Sequence, residues 1–480
     1  MPTEWTAAEI RRVGRLVVDL IADHITSLPD EPTFRPFPAD LAEQMTATPA
    51  PAEGVAPDEI LRIFTETIEP YPFGNGHPRF WGWVNSPPAL MGVFADALAA
   101  AMNPSCAGGN HAAIHLERQV LQWFRDLLGF PDESMGLLVS GGSMATMTAL
   151  AVARYVKAGV DVRRDGLRSA PQPFAFYMTS EGHSCARKAI ELLGFGSASI
   201  RTVPTTADFT MDVAALDAAI AADREAGVRP IAAIATAGTT NTGAIDDLAA
   251  IAGVCRRHGV WMHVDAAYGG AAIVSRAYGD EIAALAHGDS VALDPHKWLF
   301  VPVEAGLVFV KDGEAMRSAF SLVPPYIRTT GSAGEVYGLP WFSEYGFQQT
   351  RGFRALKVWM TLQQFGIAGY KAVIEENIAL ARHLAGQVES DPDFALMAPP
   401  GLSIVCFRYV GALASEDQIV AANRAILERL QLGGDAFITS TELGGRFVLR
   451  ACIVNYRSTR ADVDRLLDAV RAIGRAVIAA

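Results

Sequence analysis

The stretch VALDPHKWLF, residues 291–300, carries an apolar run, Val291–Leu293, straight into Asp294, Pro295, His296 and Lys297, with Trp298, Leu299 and Phe300 next in line. A buried ammonium is costly unless it is paired or neutralised. Lys297 therefore has three readings: a snorkelling surface lysine, half of an ion pair, or a nucleophile whose pKa is lowered by desolvation. A second candidate, Asp265, ends the apolar run in WMHVDAAYGG, 297 − 265 = 32 residues earlier. At the carboxyl end of a parallel strand it would lie where open α/β sheets bind ligands, and a carboxylate there needs a cation. Asp at such a place also suits a helix N-cap. In LLVSGGSMATMTAL, residues 137–150, an apolar run meets Gly141, Gly142 and Ser143 before a helix pattern begins. Such a turn aims free amides and a hydroxyl at one point and suits a phosphate, although taken alone it reads more readily as an ordinary strand–turn–helix with a serine N-cap. No G-x-x-x-x-G-K-[ST] or G-x-G-x-x-G is present, so nucleotide motifs lend no support.

Positioning these groups together requires a sheet. Short apolar runs at Gly136–Val139, Phe174–Met178, Ile231–Ala235, Trp261–Val264, Ser290–Leu293 and Leu307–Val310 read as strands. Helical patterns at Ala145–Val156, Ser184–Leu193, Val213–Glu225 and Leu248–Arg257 fall between them. Strands alternating with helices predict βαβ units and a mostly parallel sheet covered on both faces. Upstream, helical spacing of Ile10, Val13, Leu16, Val17, Leu20 and Ile21 precedes a Pro-rich connector, residues 28–57, which reads as an extended arm. Downstream, a long helical region from about Phe353 to Val388 leads to strand-like Ser403–Phe407 and Phe447–Ile453 and a final helix from Ala461. The expected division is an N-terminal helical arm over 1–85, a large domain over 86–365 and a small α+β domain over 366–480.

A net charge of −12 argues against nucleic acid or anionic membrane as partners. Five scattered cysteines without C-x-x-C fit a reducing compartment. The longest apolar stretch, Ala89–Met102, is interrupted by Asp96 and too short to span a bilayer, so the expectation is a soluble, cytoplasmic protein. His111 and His115 stand i, i+4 and could share a helix face, but H-A-A-I-H lacks the metalloprotease glutamate, and no metal is expected.

A phosphate cradle, an acid for a ring nitrogen and an imine-forming lysine together describe a pyridoxal phosphate site. With H-V-D-A-A-Y followed by D-P-H-K-W, the chain resembles the group II pyridoxal-phosphate-dependent decarboxylases along its whole length, and by length most nearly their aromatic-L-amino-acid branch. The resemblance implies fold type I, with a mostly parallel seven-stranded sheet, and a homodimer with its active site near the subunit interface. It implies that Lys297 carries the cofactor, that Asp265 partners the pyridinium nitrogen, and that Gly142 and Ser143 hold the phosphate. Thr240 matches a cofactor-contacting threonine, His183 the histidine that stacks on the ring, and His296 the residue before the lysine. Asp294 stands where close relatives have asparagine; an acid beside a phosphate would repel it, so it is expected to turn to a backbone group or a neighbouring cation.

Tyr326, 326 − 297 = 29 residues beyond the lysine, matches the catalytic-loop tyrosine; a phenol there can protonate a carbanion while the loop excludes water. Relatives that make aldehydes tend to have phenylalanine, so Tyr326 favours simple decarboxylation. The segment HPRFWGWVNSPP resembles the family's substrate segment, which implies that Trp81, Trp83 and Val84 line a side-chain pocket and Ser86 meets the substrate carboxylate. Residues 102–117 depart from aromatic relatives, with Asn103 and Ser105 where those place large apolar side chains. Arg450 could serve a carboxylate or a surface pair. The expected reaction is decarboxylation of an L-amino acid, aromatic by preference. The alternatives are a pyridoxal-phosphate-dependent aldehyde synthase or a glutamate- or cysteine-sulfinate-type decarboxylase.

Overall fold

The near-continuous apolar runs become the strands of one large sheet. The computed structural model describes residues 4–322, 338 and 340–479. Seven strands, β1 (Met135–Val139), β2 (Phe174–Met178), β3 (Ile200–Thr202), β4 (Arg229–Thr236), β5 (Trp261–Asp265), β6 (Ser290–Leu293) and β7 (Gly306–Val310), lie in the order β1-β7-β6-β5-β4-β2-β3. β3, β2, β4, β5 and β6 run parallel, and β7 is antiparallel to both β6 and β1. Every residue of β5, β6 and β7 is buried, as expected of strands covered on both faces. The carboxyl ends of β1, β2, β4, β5 and β6 therefore share one edge, and β7 begins there.

A buried imidazole in this core is satisfied rather than reactive. His263 in β5 meets Ser290 Oγ of β6 at 3.0 Å through Nδ1 and Thr146 Oγ1 at 3.3 Å through Nε2. Burial pushes its pKa down to about 4, so it is neutral at physiological pH. Strand β1 is held by a buried ion pair. Leu138 N donates to Glu117 Oε1 at 3.3 Å, and Arg351, paired with Glu117, donates to the Leu138 carbonyl at 2.7 Å. Both side chains are nearly inaccessible, so removing either partner strands a charge, which costs about 3–5 kcal/mol.

The chain divides into two compact units. The large sheet belongs to the one formed by Val84–Arg382 and Ala398–Val405; the other comprises Met1–Trp83, His383–Met397 and Cys406–Ala480. A second sheet contains β8 (Phe394–Leu396), β9 (Ile404–Tyr409), β10 (Thr439–Leu443) and β11 (Arg446–Cys452) in the order β10-β11-β9-β8. The pairs β10/β11 and β8/β9 are antiparallel. Fold type I, with its mostly parallel seven-stranded sheet and a separate smaller sheet late in the chain, is the architecture found.

Two local readings change. The Pro-rich connector is not extended throughout: Ala39–Ala47 forms a helix behind Pro38, because ADLAEQMTA is a run of good helix formers once proline has set the entry. The long helix Arg354–Ser390 is interrupted at Gly366, whose φ of 60° only glycine adopts cheaply. Among the described residues, no helix is long and apolar enough to cross a membrane.

Candidate active site

Strand β6 ends at Leu293, and Asp294-Pro295-His296-Lys297 turns the chain, with Lys297 N donating to the Asp294 carbonyl at 3.0 Å. Asp first and Pro second are favoured turn residues, since proline pre-sets the required φ. The residue after the lysine anchors the turn. Trp298 is fully buried, stacks on Tyr268 at 5.1 Å, and donates from Nε1 to Asn377 Oδ1 at 2.9 Å. Tyr268 in turn lies 2.6 Å from Ser403 Oγ through its hydroxyl. The bulky side chains beside Lys297 thus fix its backbone.

Lys297 Nζ lies 3.1 Å from Asp294 Oδ2. Burial works against its ammonium, but the carboxylates of Asp294 and then Asp265 outweigh it and hold the pKa above the ordinary lysine value. In this state the side chain is an ion-paired cation, and a proton must leave before it can act as a nucleophile. Asp265 closes β5, opposite Thr236 of β4 and Ala292 of β6. Its Oδ1 accepts from Ala267 N at 3.1 Å. Beyond the strands, Ala266 N to Ala292 O at 2.9 Å and Asp294 N to Ala267 O at 3.1 Å keep the two ends stitched together.

The glycine turn after β1 enters the helix Gly142–Lys157, which has no side-chain cap. Its first helical bond is Ala145 N to Gly141 O at 2.9 Å, which leaves the amides of Gly142, Ser143 and Met144 for another acceptor. A Cβ on Gly142 would stand 2.9 Å from Asp294 Oδ2 and 3.2 Å from Ala267 Cβ, so the close approach requires glycine. His183 N-caps the helix Ser184–Leu192, its Nδ1 accepting from Cys185 N at 3.3 Å, which leaves Nε2 to carry a proton. Desolvation lowers its imidazole pKa, partly offset by Asp265. Burial pushes the neighbouring Cys185 thiol up to about 11, so it is no thiolate.

These groups line one cavity of about 330 Å³. It brings together Gly142, Ser143, His183, Thr240, Asp265, Asp294, His296 and Lys297, all expected from the sequence. It also holds Thr236, Gly238 and Tyr268, which sequence reasoning missed. Thr236 ends the strand beside the one that Asp265 ends. His296 is oriented through Nδ1, 2.7 Å from the Ala305 carbonyl. The amides at an uncapped helix start, one lysine and a carboxylate on the adjoining strand fit pyridoxal phosphate in donor chemistry, and the cavity is of ligand size.

The remaining expected residues are not among those that line this cavity. Trp81 is buried in the other unit, its indole donating to Ser458 Oγ at 2.9 Å. Trp83, also in that unit, packs on Phe73 and Phe437 at 5.1 and 5.6 Å. Ser86 Oγ donates to the His296 carbonyl at 3.3 Å, within the turn that carries Lys297. Arg450 is buried and donates to the Trp83 carbonyl at 2.9 Å, a backbone contact and not a surface pair. Asn103 takes a left-handed C-cap (φ 46°) after the helix Leu90–Met102, a position asparagine tolerates well. His111 is the N-cap of the helix Ala112–Leu128, 3.2 Å from the Gly108 carbonyl, while His115 pairs with Asn110 at 2.7 Å; the two do not share a helix face. Tyr326 lies outside the described residues.

Comparison with known proteins gives the class. Residues 38–410 match the pyridoxal-dependent decarboxylase conserved domain. The chain is 33% identical over 479 residues to an aromatic-L-amino-acid decarboxylase of Bacillus atrophaeus, covering 99% of this chain and 97% of that one. It is 28% identical to a phenylacetaldehyde synthase of Arabidopsis thaliana, covering 93% and 91%. A crystal structure of Oryza sativa TDC with PLP and tryptamine superposes with a TM-score of 0.91 at 28% identity, covering 99% of each chain. The chain belongs to the pyridoxal-dependent decarboxylase family. It is a pyridoxal-phosphate enzyme that decarboxylates an amino acid.

Proposed function

We propose that the substrate is an aromatic L-amino acid, converted to its amine and CO₂ in the cavity around Lys297. The observation that carries the proposed site is that one cavity is lined at once by Lys297, Asp265 and the Gly142–Ser143 turn. Pyridoxal phosphate, when bound, supplies an electron sink for the pair left as CO₂ departs. Lys297 would be the amine that holds it, and Asp294 and Asp265 stabilise the proton on the free side chain. Asp265 holds a proton on the ring nitrogen by offering its carboxylate, and the amides of Gly142 and Ser143 bind the phosphate. His183 would meet the ring and hold a proton at Nε2; Thr240 and His296 flank the same cavity. Ser86 is the proposed contact for the substrate carboxylate, and Trp81 and Trp83 remain proposed for the side-chain pocket. Tyr326 is the proposed donor that returns a proton to Cα.

Likeness over nearly the whole chain to the Bacillus atrophaeus enzyme supports the aromatic preference. The likeness to the Arabidopsis aldehyde synthase favours a second reading, in which decarboxylation ends in an aldehyde. The assembly we propose is a homodimer with the active site near the interface, in the cytoplasm. An assay of CO₂ release across aromatic, acidic and basic L-amino acids, with amine, ammonia and peroxide measured, decides among these. Turnover of Tyr, Trp, Phe or DOPA to the amine is expected. Turnover of glutamate or cysteine sulfinate with none of the aromatics sinks the aromatic reading, and stoichiometric ammonia and peroxide sink simple decarboxylation.

A further inference from the structure

Asp294 faces the glycine turn as well as Lys297. Its Oδ2 lies 3.1 Å from Lys297 Nζ and 3.9 Å from His296 Nε2. Its Oδ1 has no hydrogen-bond partner among the described residues, although the side chain is only 2% exposed. A Cβ on Gly141 would meet that Oδ1 at 4.0 Å, and one on Gly142 would meet Oδ2 at 2.9 Å, so the carboxyl lies against the turn whose amides are uncommitted. The titratable groups facing it are Lys297 and His296 on its own segment, Asp265 from the end of β5, and His183 and Cys185 from the segment after β2. No arginine lines the cavity among the described residues. A phosphate at this turn sets a second anion against a buried carboxylate, and the one lysine beside it is the amine the same ligand uses. Two close anions in a site of low dielectric cannot both stay ionised cheaply.

We propose that Asp294 takes up a proton from solvent when the phosphate binds and donates a hydrogen bond to it from Oδ1, coupling cofactor affinity to pH. No electrons move and no covalent bond to phosphorus changes; one O–H bond forms on the carboxyl. Because the complex holds the extra proton, affinity falls as pH rises, by up to about tenfold per pH unit while the free carboxylate is ionised and the bound one is not. The inference rests on the proposed function, with the phosphate at Gly142 and Ser143.

The test titrates the apoprotein with pyridoxal phosphate, and with pyridoxal as the phosphate-free probe, from mildly acid to mildly alkaline pH. Calorimetry in two buffers of different ionisation enthalpy reads Kd and net proton uptake for the wild type and Asp294→Asn. Asparagine keeps the shape and donates without a proton. Asp294→Ala repeats the count should Asp294→Asn fold poorly. The wild type is expected to take up one more proton than either variant with pyridoxal phosphate and the same number with pyridoxal, and its Kd is expected to weaken more steeply with pH. Equal uptake with pyridoxal phosphate, or an excess that persists with pyridoxal, overturns the proposal. Lys297→Ala, run alongside, keeps the two readings apart. If it retains the wild-type visible absorbance, the proposed site fails. If it loses that absorbance while Asp294→Asn matches the wild type in proton count, the Asp294 proposal alone fails.

Discussion

Asp265 and Asp294 stand at the ends of neighbouring strands, yet their surroundings differ. Asp265 points one oxygen at a backbone amide of its own turn, Ala267 N at 3.1 Å, and is held at the strand end by local geometry. Asp294 is more deeply buried, pairs with Lys297 at 3.1 Å and leaves its other oxygen without a partner among the described residues. The contrast separates a carboxylate set to meet a ligand's cation from one whose own cation must be given up to a ligand. Both raise the pKa of the same lysine, which is held as an ion pair with Asp294.

Removing that lysine breaks the comparison outright. Lys297→Ala is expected to abolish the visible absorbance of bound cofactor and to cut decarboxylation by ~10³-fold or more, as loss of a covalent group does; absorbance spectra and CO₂ release measure both. Asp265→Asn sharpens the contrast, because it removes charge while keeping shape. A drop of about 10²–10³ in kcat with cofactor still bound is expected, in line with loss of one aligned electrostatic partner. A kcat within a few-fold of the wild type would show that Asp265 does not serve the ring nitrogen.

The smallest expected effect concerns the contacts that tie the two strand ends together. His263, two residues before Asp265, joins β5 to β6 through Ser290 and is fully buried, with its pKa near 4. The unfolded chain protonates it near pH 6.5, so its contribution is intact above that value and is lost as pH falls toward 4. Urea unfolding is expected to show the wild type losing about 2 kcal/mol more than His263→Gln between about pH 7 and about pH 5. Asp246 runs the opposite way, since burial raises its carboxyl to about 6 and its contribution fades as pH rises, so the comparison between the two proteins isolates the imidazole. Parallel slopes would show that His263 does not couple stability to pH.

Much of this site was legible because its residues come after strands that read plainly. β2 and β6 have the same bounds as the apolar runs Phe174–Met178 and Ser290–Leu293, and Asp265, Asp294 and Lys297 follow such runs. The Gly142 turn announced itself by composition, and the ion pair of Asp294 with Lys297 matches the sequence expectation of an acid that turns to a neighbouring cation. The residues that stayed hidden depended on lateral register or on short elements. Thr236 enters the cavity because it pairs across from Asp265, and no local pattern shows a register. β3 has three residues at a sheet edge, too few for a periodic signal. Arg450 was open between a carboxylate contact and a surface pair, because nothing in its neighbours shows that the Trp83 carbonyl would meet it inside. Asn103, which departs from aromatic relatives, also ends a helix in a left-handed turn, a local task that no apolar pattern announces.

The central claim is that Lys297 is the attachment point of the cofactor. Borohydride reduction of the yellow holoprotein, followed by proteolysis and mass mapping, reads that bond directly. A single pyridoxyl-phosphate adduct is predicted on the peptide that contains Lys297, formed in proportion to the colour lost. An adduct on another lysine, or bleached protein with Lys297 unmodified, would contradict it.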